Sequence, residues 1–209
     1  MTNVILIPCC KRKRTGGDAR YEASVSVPAL LPPASGQALL GARRDLSCVL
    51  GLAPAPDLGS EGGGSIRYMP AYRRYQGRLY EKAQLTHEDA LGHSGGQVLI
   101  VSALYGLVTA LEPIRDYDLE MKCTLPNRRR VYTWWKERQL GLLVHEAIEH
   151  FGEATVYDLL SGDYRKALEP WPPSSLSARR VTYDDRYRPL RSGSTHHRGT
   201  DVRRLLGSE

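Results

Sequence analysis

At 209 residues, 41% hydrophobic and 25% charged, the chain can bury one good core, which predicts a single domain with insertions rather than two domains. The formal charge is +6, and +4 of it lies in residues 179–209, where eight arginines face four acids, a composition suited to phosphates or an acidic partner. No apolar run is long enough to span a bilayer and no leader pattern opens the sequence. Cys9, Cys10, Cys48 and Cys123 show no zinc-ligand spacing, so neither a metal site nor a membrane role is expected, and a reducing, cytoplasmic setting is the expectation.

Asn3-Val4-Ile5-Leu6-Ile7 predicts a strand over about 3–8 that runs straight into Pro8-Cys9-Cys10-Lys11-Arg12-Lys13-Arg14. Residues 15–34, rich in Gly, Ala, Ser and Pro, read as a flexible insertion. Ser35 is a suitable N-cap for a helix ending near Leu50. Residues 53–65, from Ala53-Pro54-Ala55-Pro56 to Gly62-Gly63-Gly64, read as a second flexible insertion and the least core-like part of the chain. Pro70 opens a helix predicted from Ala71 to about Leu85, with Tyr72, Tyr75, Leu79 and Ala83 near helical spacing.

A central strand is predicted at 97–103, leading into Leu104-Tyr105-Gly106-Leu107. After Pro126-Asn127 a long helix is predicted to end near Phe151-Gly152, its apolar face formed by Val131, Trp135, Leu140, Val144, Ala147, Ile148 and Phe151. Thr155 to Leu160 reads as a further buried strand, followed by Ser161-Gly162-Asp163-Tyr164-Arg165 and a short helix stopped by Pro170. Residues 171–209 form a basic C-terminal extension with an edge strand near Arg179–Tyr183.

The three best strands are apolar on both faces and alternate with helices. This predicts an α/β fold over residues 1–170, a mostly parallel central sheet flanked by helices. If the first and central strands are parallel neighbours, the cationic loop after one faces Asp116-Tyr117-Asp118 across a crevice at the sheet edge.

Five motifs occur in order: Ile7-Pro8-Cys9-Cys10-Lys11-Arg12-Lys13, Tyr75-Gln76-Gly77-Arg78-Leu79-Tyr80, Ser102-Ala103-Leu104-Tyr105-Gly106-Leu107, Tyr117-Asp118 and Ser161-Gly162-Asp163-Tyr164. Together they resemble the bacterial YaaA-like superfamily, the peroxide-stress YaaA proteins and a related branch with "PCSKRK", "SAkYGLv" and "YD" motifs. Cys10 stands where a serine is common and Leu104 where a lysine is common. The resemblance implies an α/β fold with the motifs gathered in one cleft. Some members are associated with DNA binding. Distant relatives act on modified nucleobases, which implies a nucleotide or nucleic acid ligand.

Asp118 is the first candidate for catalysis, because a carboxylate beside a pocket can orient a water or stabilise the cationic sugar formed as an N-glycosidic bond breaks. Asp116 and Glu120 are further acids, and each of these carboxylates also suits a turn or an ion pair. Lys11 and Lys13, with Arg78, suit a phosphate, while Arg12 and Arg14 alternate away if the loop stays extended. Cys9 suits either a nucleophile or core filler. Ser102 is expected to hydrogen-bond the ligand and Tyr105 to stack on its base, with Gly106 supplying a backbone angle that other residues resist. Tyr80, Asp163 and Tyr164 complete the expected binding set.

The expected function is hydrolysis or exchange at the N-glycosidic bond of a nucleotide or modified nucleic acid, with no cofactor and no metal. Two alternatives stay open: a DNA-binding stress-response protein without catalysis, whose affinity lies in the basic extension, and a transferase that works through Cys9 or Lys11.

Overall fold

The computed structural model of the chain describes residues 1–62, 64–173, 181–184 and 195–207, with the side chains of residues 195 and 196 left aside. It is an α/β domain built on a five-stranded, mostly parallel sheet. The strands are β1 (Thr2–Pro8), β3 (Gly96–Ser102), β4 (Gly106–Thr109), β6 (Ala154–Asp158) and β7 (Val181–Tyr183), in the spatial order β4-β3-β1-β6-β7. β1 lies at the centre, parallel to β3 in the register Ile5↔Val98 and to β6 in the register Val4↔Val156. β7 is parallel to β6, and β4 folds back antiparallel on β3. A separate antiparallel pair joins β2 (Tyr68–Pro70) to β5 (Pro113–Arg115). Val4 to Ile7 and Ile100 to Val101 are fully buried, as expected for strands covered on both faces.

The helices are α1 (Val27–Leu30), α2 (Pro33–Val49), α3 (Ala71–Arg74), α4 (Arg78–Ala83), α5 (His87–Leu91), α6 (Val131–Glu137), α7 (Leu140–Glu149), α8 (Gly162–Leu168) and α9 (Thr195–Leu205). α2 starts at a proline rather than at Ser35. Pro33 occupies its first turn, where the missing N–H costs nothing. The helix predicted over 71–85 is two helices, because Tyr75 turns extended, bridges to Lys13 and is followed by Gly77. The long helix predicted to 152 is also interrupted. Gln139 adopts φ 54°, a left-handed conformation that no α-helix continues through, and it separates α6 from α7.

The segment 53–65 differs most from its sequence reading. Ala55, Asp57 and Leu58 are fully buried, and Asp57 is a hub of side-chain hydrogen bonds. Gly63 lies outside the described residues, as do residues 179 and 180 of the expected edge strand. At the far end of the chain, β7 extends the sheet and α9 packs on α4 and β1, with Val202 and, just past the helix, Leu206 buried.

The β3–β4 turn is held from two sides. Trp135 Nε1 donates to the Ala103 carbonyl at 2.8 Å, while buried Arg43 donates to the carbonyls of Tyr105 at 3.0 Å and Leu107 at 2.7 Å. Gly106 has φ 72°, and a Cβ there would stand 2.7 Å from the Trp135 ring. Glycine is therefore required both for the backbone angle and for the room.

Candidate functional site

The loop after β1 is fixed before it reaches the surface. Tyr80 of α4 donates its hydroxyl to the Pro8 carbonyl at 2.9 Å, and Tyr164 of α8 donates to the Cys9 carbonyl at 2.8 Å. Cys9 is buried, with its Sγ 3.2 Å from the same Tyr164 hydroxyl. Cys10 turns the other way, against Gly77, and burial pushes its thiol up to about 12, so it is held protonated near neutrality. Gln76 N donates to the Arg12 carbonyl at 2.9 Å, and Arg14 N to the Arg74 carbonyl at 2.8 Å. These bonds keep Arg12 to Arg14 extended alongside residues 74–76. Arg12 pairs with Glu81 on α4 and donates to the Gln76 carbonyl at 2.6 Å.

Opposite stands the segment that follows β5. Arg115 is buried and donates Nε at 2.9 Å and Nη2 at 2.6 Å to the two oxygens of Asp57. The hydroxyls of Tyr68 and Tyr105 donate to the same carboxylate at 2.9 and 2.6 Å. After this anchor, Asp116 and Asp118 are exposed while Tyr117 between them is buried, the alternation of an extended segment. Tyr117 contributes its hydroxyl to a triangle with Tyr75 at 2.9 Å and Ser102 at 2.9 Å, and Ser102 Oγ also accepts from the Tyr105 amide at 3.2 Å. Burial pushes the Tyr75 and Tyr117 phenols well above their ordinary value, so both remain protonated.

Between the two loops lies an open cleft of about 640 Å³ lined by Lys11, Arg12, Lys13, Asp116, Tyr117 and Asp118. Lys13 is half-buried, with its Nζ 3.9 Å from the centre of the Tyr117 ring. Burial holds its pKa below the ordinary lysine value, against the opposing pull of Cys9, Cys10, Asp116 and Asp118. Lys11 is more exposed and lies 3.9 Å from Glu120, which also faces Lys122 at 3.5 Å.

The structure therefore brings Asp116, Asp118, Lys11 and Lys13 together and leaves other expected residues outside the cleft. Tyr105 is fully buried, with its hydroxyl committed to Asp57, so it offers no ring face to a base. Ser102 is equally buried and supports Tyr117 from beneath. Tyr80 and Tyr164 bind the β1 end, and Asp163 pairs with Lys166 along α8 at 3.1 Å. Arg78 is exposed at the start of α4, beside Gly77.

Tyr117 as the cleft floor, and the Asp57–Arg115 anchor behind it, are not among the site roles that the sequence suggests. Tyr117 stands in one of the five motifs, but its role depends on contacts with Tyr75 and Ser102. Nothing local marks Asp57 at all. A larger groove of about 930 Å³ runs between α6, α7 and α8, where Lys136 pairs with Glu169 at 2.7 Å, and it contains none of the expected residues. Among the described residues, no group of three or more His, Cys, Asp and Glu side chains converges as metal ligands would. No helix among them is long and apolar enough to cross a membrane.

The sequence model of a family described as peroxide stress protein YaaA matches residues 56–205. A UPF0246 protein of Shewanella baltica strain OS195 is 33% identical over 100 residues, 46% of this chain and 38% of that protein. One from Idiomarina loihiensis is 28% identical over 105 residues, 48% of this chain and 40% of that protein. A third, from Cupriavidus pinatubonensis, is 29% identical over 141 residues, 62% and 53% of the two chains. The chain thus spans between two fifths and about half of the length of these relatives.

Proposed function

The chain belongs to the peroxide stress protein YaaA family, and on that premise we propose that it is an enzyme acting on the N-glycosidic bond of a nucleotide or of modified nucleic acid. The observation that carries this reading is the cleft. Two exposed carboxylates, Asp116 and Asp118, face a row of cations, Lys11 to Lys13, across a gap of nucleotide size. The cations provide for a phosphate, and the carboxylates stand where positive charge develops on a sugar as its base departs. Asp118 activates the attacking water or stabilises the oxocarbenium ion, with Asp116 as the second acid. Tyr117 makes the floor and excludes water from below.

The test is mass spectrometry for free base after incubation with nucleotides, nucleosides and plain or base-modified DNA. Wild type is expected to release base, and Asp118→Asn to do so about 100-fold more slowly or worse while remaining folded. Absence of release from every substrate by folded wild-type protein would overturn the reading.

One observation favours a second reading, a nucleic-acid-binding protein without catalysis. Exposed Lys11, Lys122 and Arg130 form a cationic margin beside the cleft, linked by Glu120, which faces both lysines, and by the Arg130 guanidinium, which donates to the Lys122 carbonyl at 2.7 Å. On that reading, affinity for DNA falls steeply with salt and survives Asp118→Asn unchanged.

A further inference from the structure

The cations of the β1 loop are not equivalent. Lys11 faces Glu120 and Arg12 is paired with Glu81, while Arg14 lies in a side groove with Arg73. Lys13 alone is half-buried at the cleft floor, and it forms no ion pair with a carboxylate among the described residues. Its Nζ donates to the Lys11 carbonyl at 3.2 Å and rests over Tyr117 at 3.9 Å, with the Tyr75 ring 5.9 Å away. The Tyr117 ring face attracts the ammonium, but without a carboxylate in contact that attraction is outweighed by the cost of burying the charge. The lowered pKa of Lys13 agrees with that geometry. Asp116 and Asp118 line the same cleft and act on it electrostatically, as carboxylates able to receive its proton by way of the water in the cleft.

We propose that Lys13 is the nucleophile of this cleft, and that its Nζ forms an imine with C1′ of a ribose or deoxyribose phosphate unit. The assignment rests on the glycosidic reading above and replaces an activated water in its first step. Neutral Lys13 attacks C1′. The N–C1′ bond forms as the C1′–base bond breaks, and the base leaves with the electron pair and takes a proton from solvent. The extra proton on the amine passes to Asp118. The C1′–O4′ bond then opens, O4′ takes that proton, and a protonated imine remains. Water adds to the imine carbon, the amine is expelled, and the sugar departs as its aldehyde, which closes to the hemiacetal. The balance is hydrolysis, with water as co-reactant.

The test is reductive trapping. The full chain is incubated with sodium borohydride and, in separate arms, an oligonucleotide containing an abasic site or free ribose 5-phosphate, and the modified peptide is mapped by mass spectrometry. The expected result is a reduced adduct on Lys13, lost in Lys13→Arg and in Lys13→Met. Its rate rises with pH and levels off below 10.5, the ordinary lysine value. The arm that yields the adduct tells a polymeric substrate from a free sugar phosphate.

Adduct confined to other lysines, or no adduct in either arm, overturns the proposal. Both results are read on wild type and do not depend on the variants folding. Base release without a Lys13 adduct also overturns it and leaves the glycosidic reading with Asp118 and water. An adduct on Lys13 without base release from any nucleotide supports Lys13 as the amine and removes the glycosidic reading instead.

Discussion

The Asp57 carboxylate receives four hydrogen bonds from three side chains, and its fully buried charge is balanced by Arg115 alone among them. Such a pair adds little over an apolar filling of the same space, but removing one partner leaves an uncompensated buried charge. Arg115→Met is therefore expected to cost about 3–5 kcal/mol, read by denaturant unfolding. Because Arg115 directly precedes Asp116, the same variant is expected to lower base release even where it remains folded. At this scale the sequence is only partly legible. Asp116, Asp118, Lys11 and Lys13 stand out by their motifs and by the strands that deliver them. Tyr105 reads as a base platform because an aromatic after a strand suits that role. Its burial depends on Asp57, 48 positions earlier in the chain, a distance no local pattern spans.

α4 and α9 pack so closely that Gly199 lies directly on α4. A Cβ there would stand 2.5 Å from the Leu79 carbonyl and 2.6 Å from the Lys82 Cβ. Gly199→Val is expected to push the helices apart at a cost of about 1–3 kcal/mol, seen as a lower thermal midpoint. α4 also carries Tyr80, which binds the Pro8 carbonyl, so the strain reaches the loop of Lys11 and Lys13. Sequence periodicity locates most elements but not their interruptions. The apolar spacing of α6 and α7 continues across Gln139, so the pattern reads as one helix. The break is imposed by tertiary packing that includes the approach of Gly141 to the Leu168 carbonyl. α9 escapes a reading of periodicity because its apolar contacts are few and its face is broken by arginines. Val202 is its fully buried apolar residue, and the close approach of Gly199 to α4 supplies the rest of the contact.

For the molecule as a whole, the sheet order places the most apolar strands, β1 and β3, side by side, with β7 at one edge. Amides of Ile5 to Ile7 and of Leu99 to Val101 are therefore expected to exchange hydrogen only through global unfolding. Those of Val181 to Tyr183 are expected to exchange through cheaper local opening, measured by native-state exchange and mass spectrometry. The parallel α/β class is readable from apolar runs alternating with helices. The antiparallel β4 and the small β2–β5 pair are not, since four- and three-residue strands leave almost no periodic signal. The central position of β1 has a further consequence during synthesis. Val4 to Ile7 leave the ribosome long before Gly96 and Ala154, with which their strand will pair, have been translated. At about 5–20 residues per second, this apolar strand waits on the order of 5–20 seconds with both edges bare. It is then a template for any other nascent chain nearby, so faithful production of the protein depends on something shielding Val4 to Ile7 until β3 has been translated.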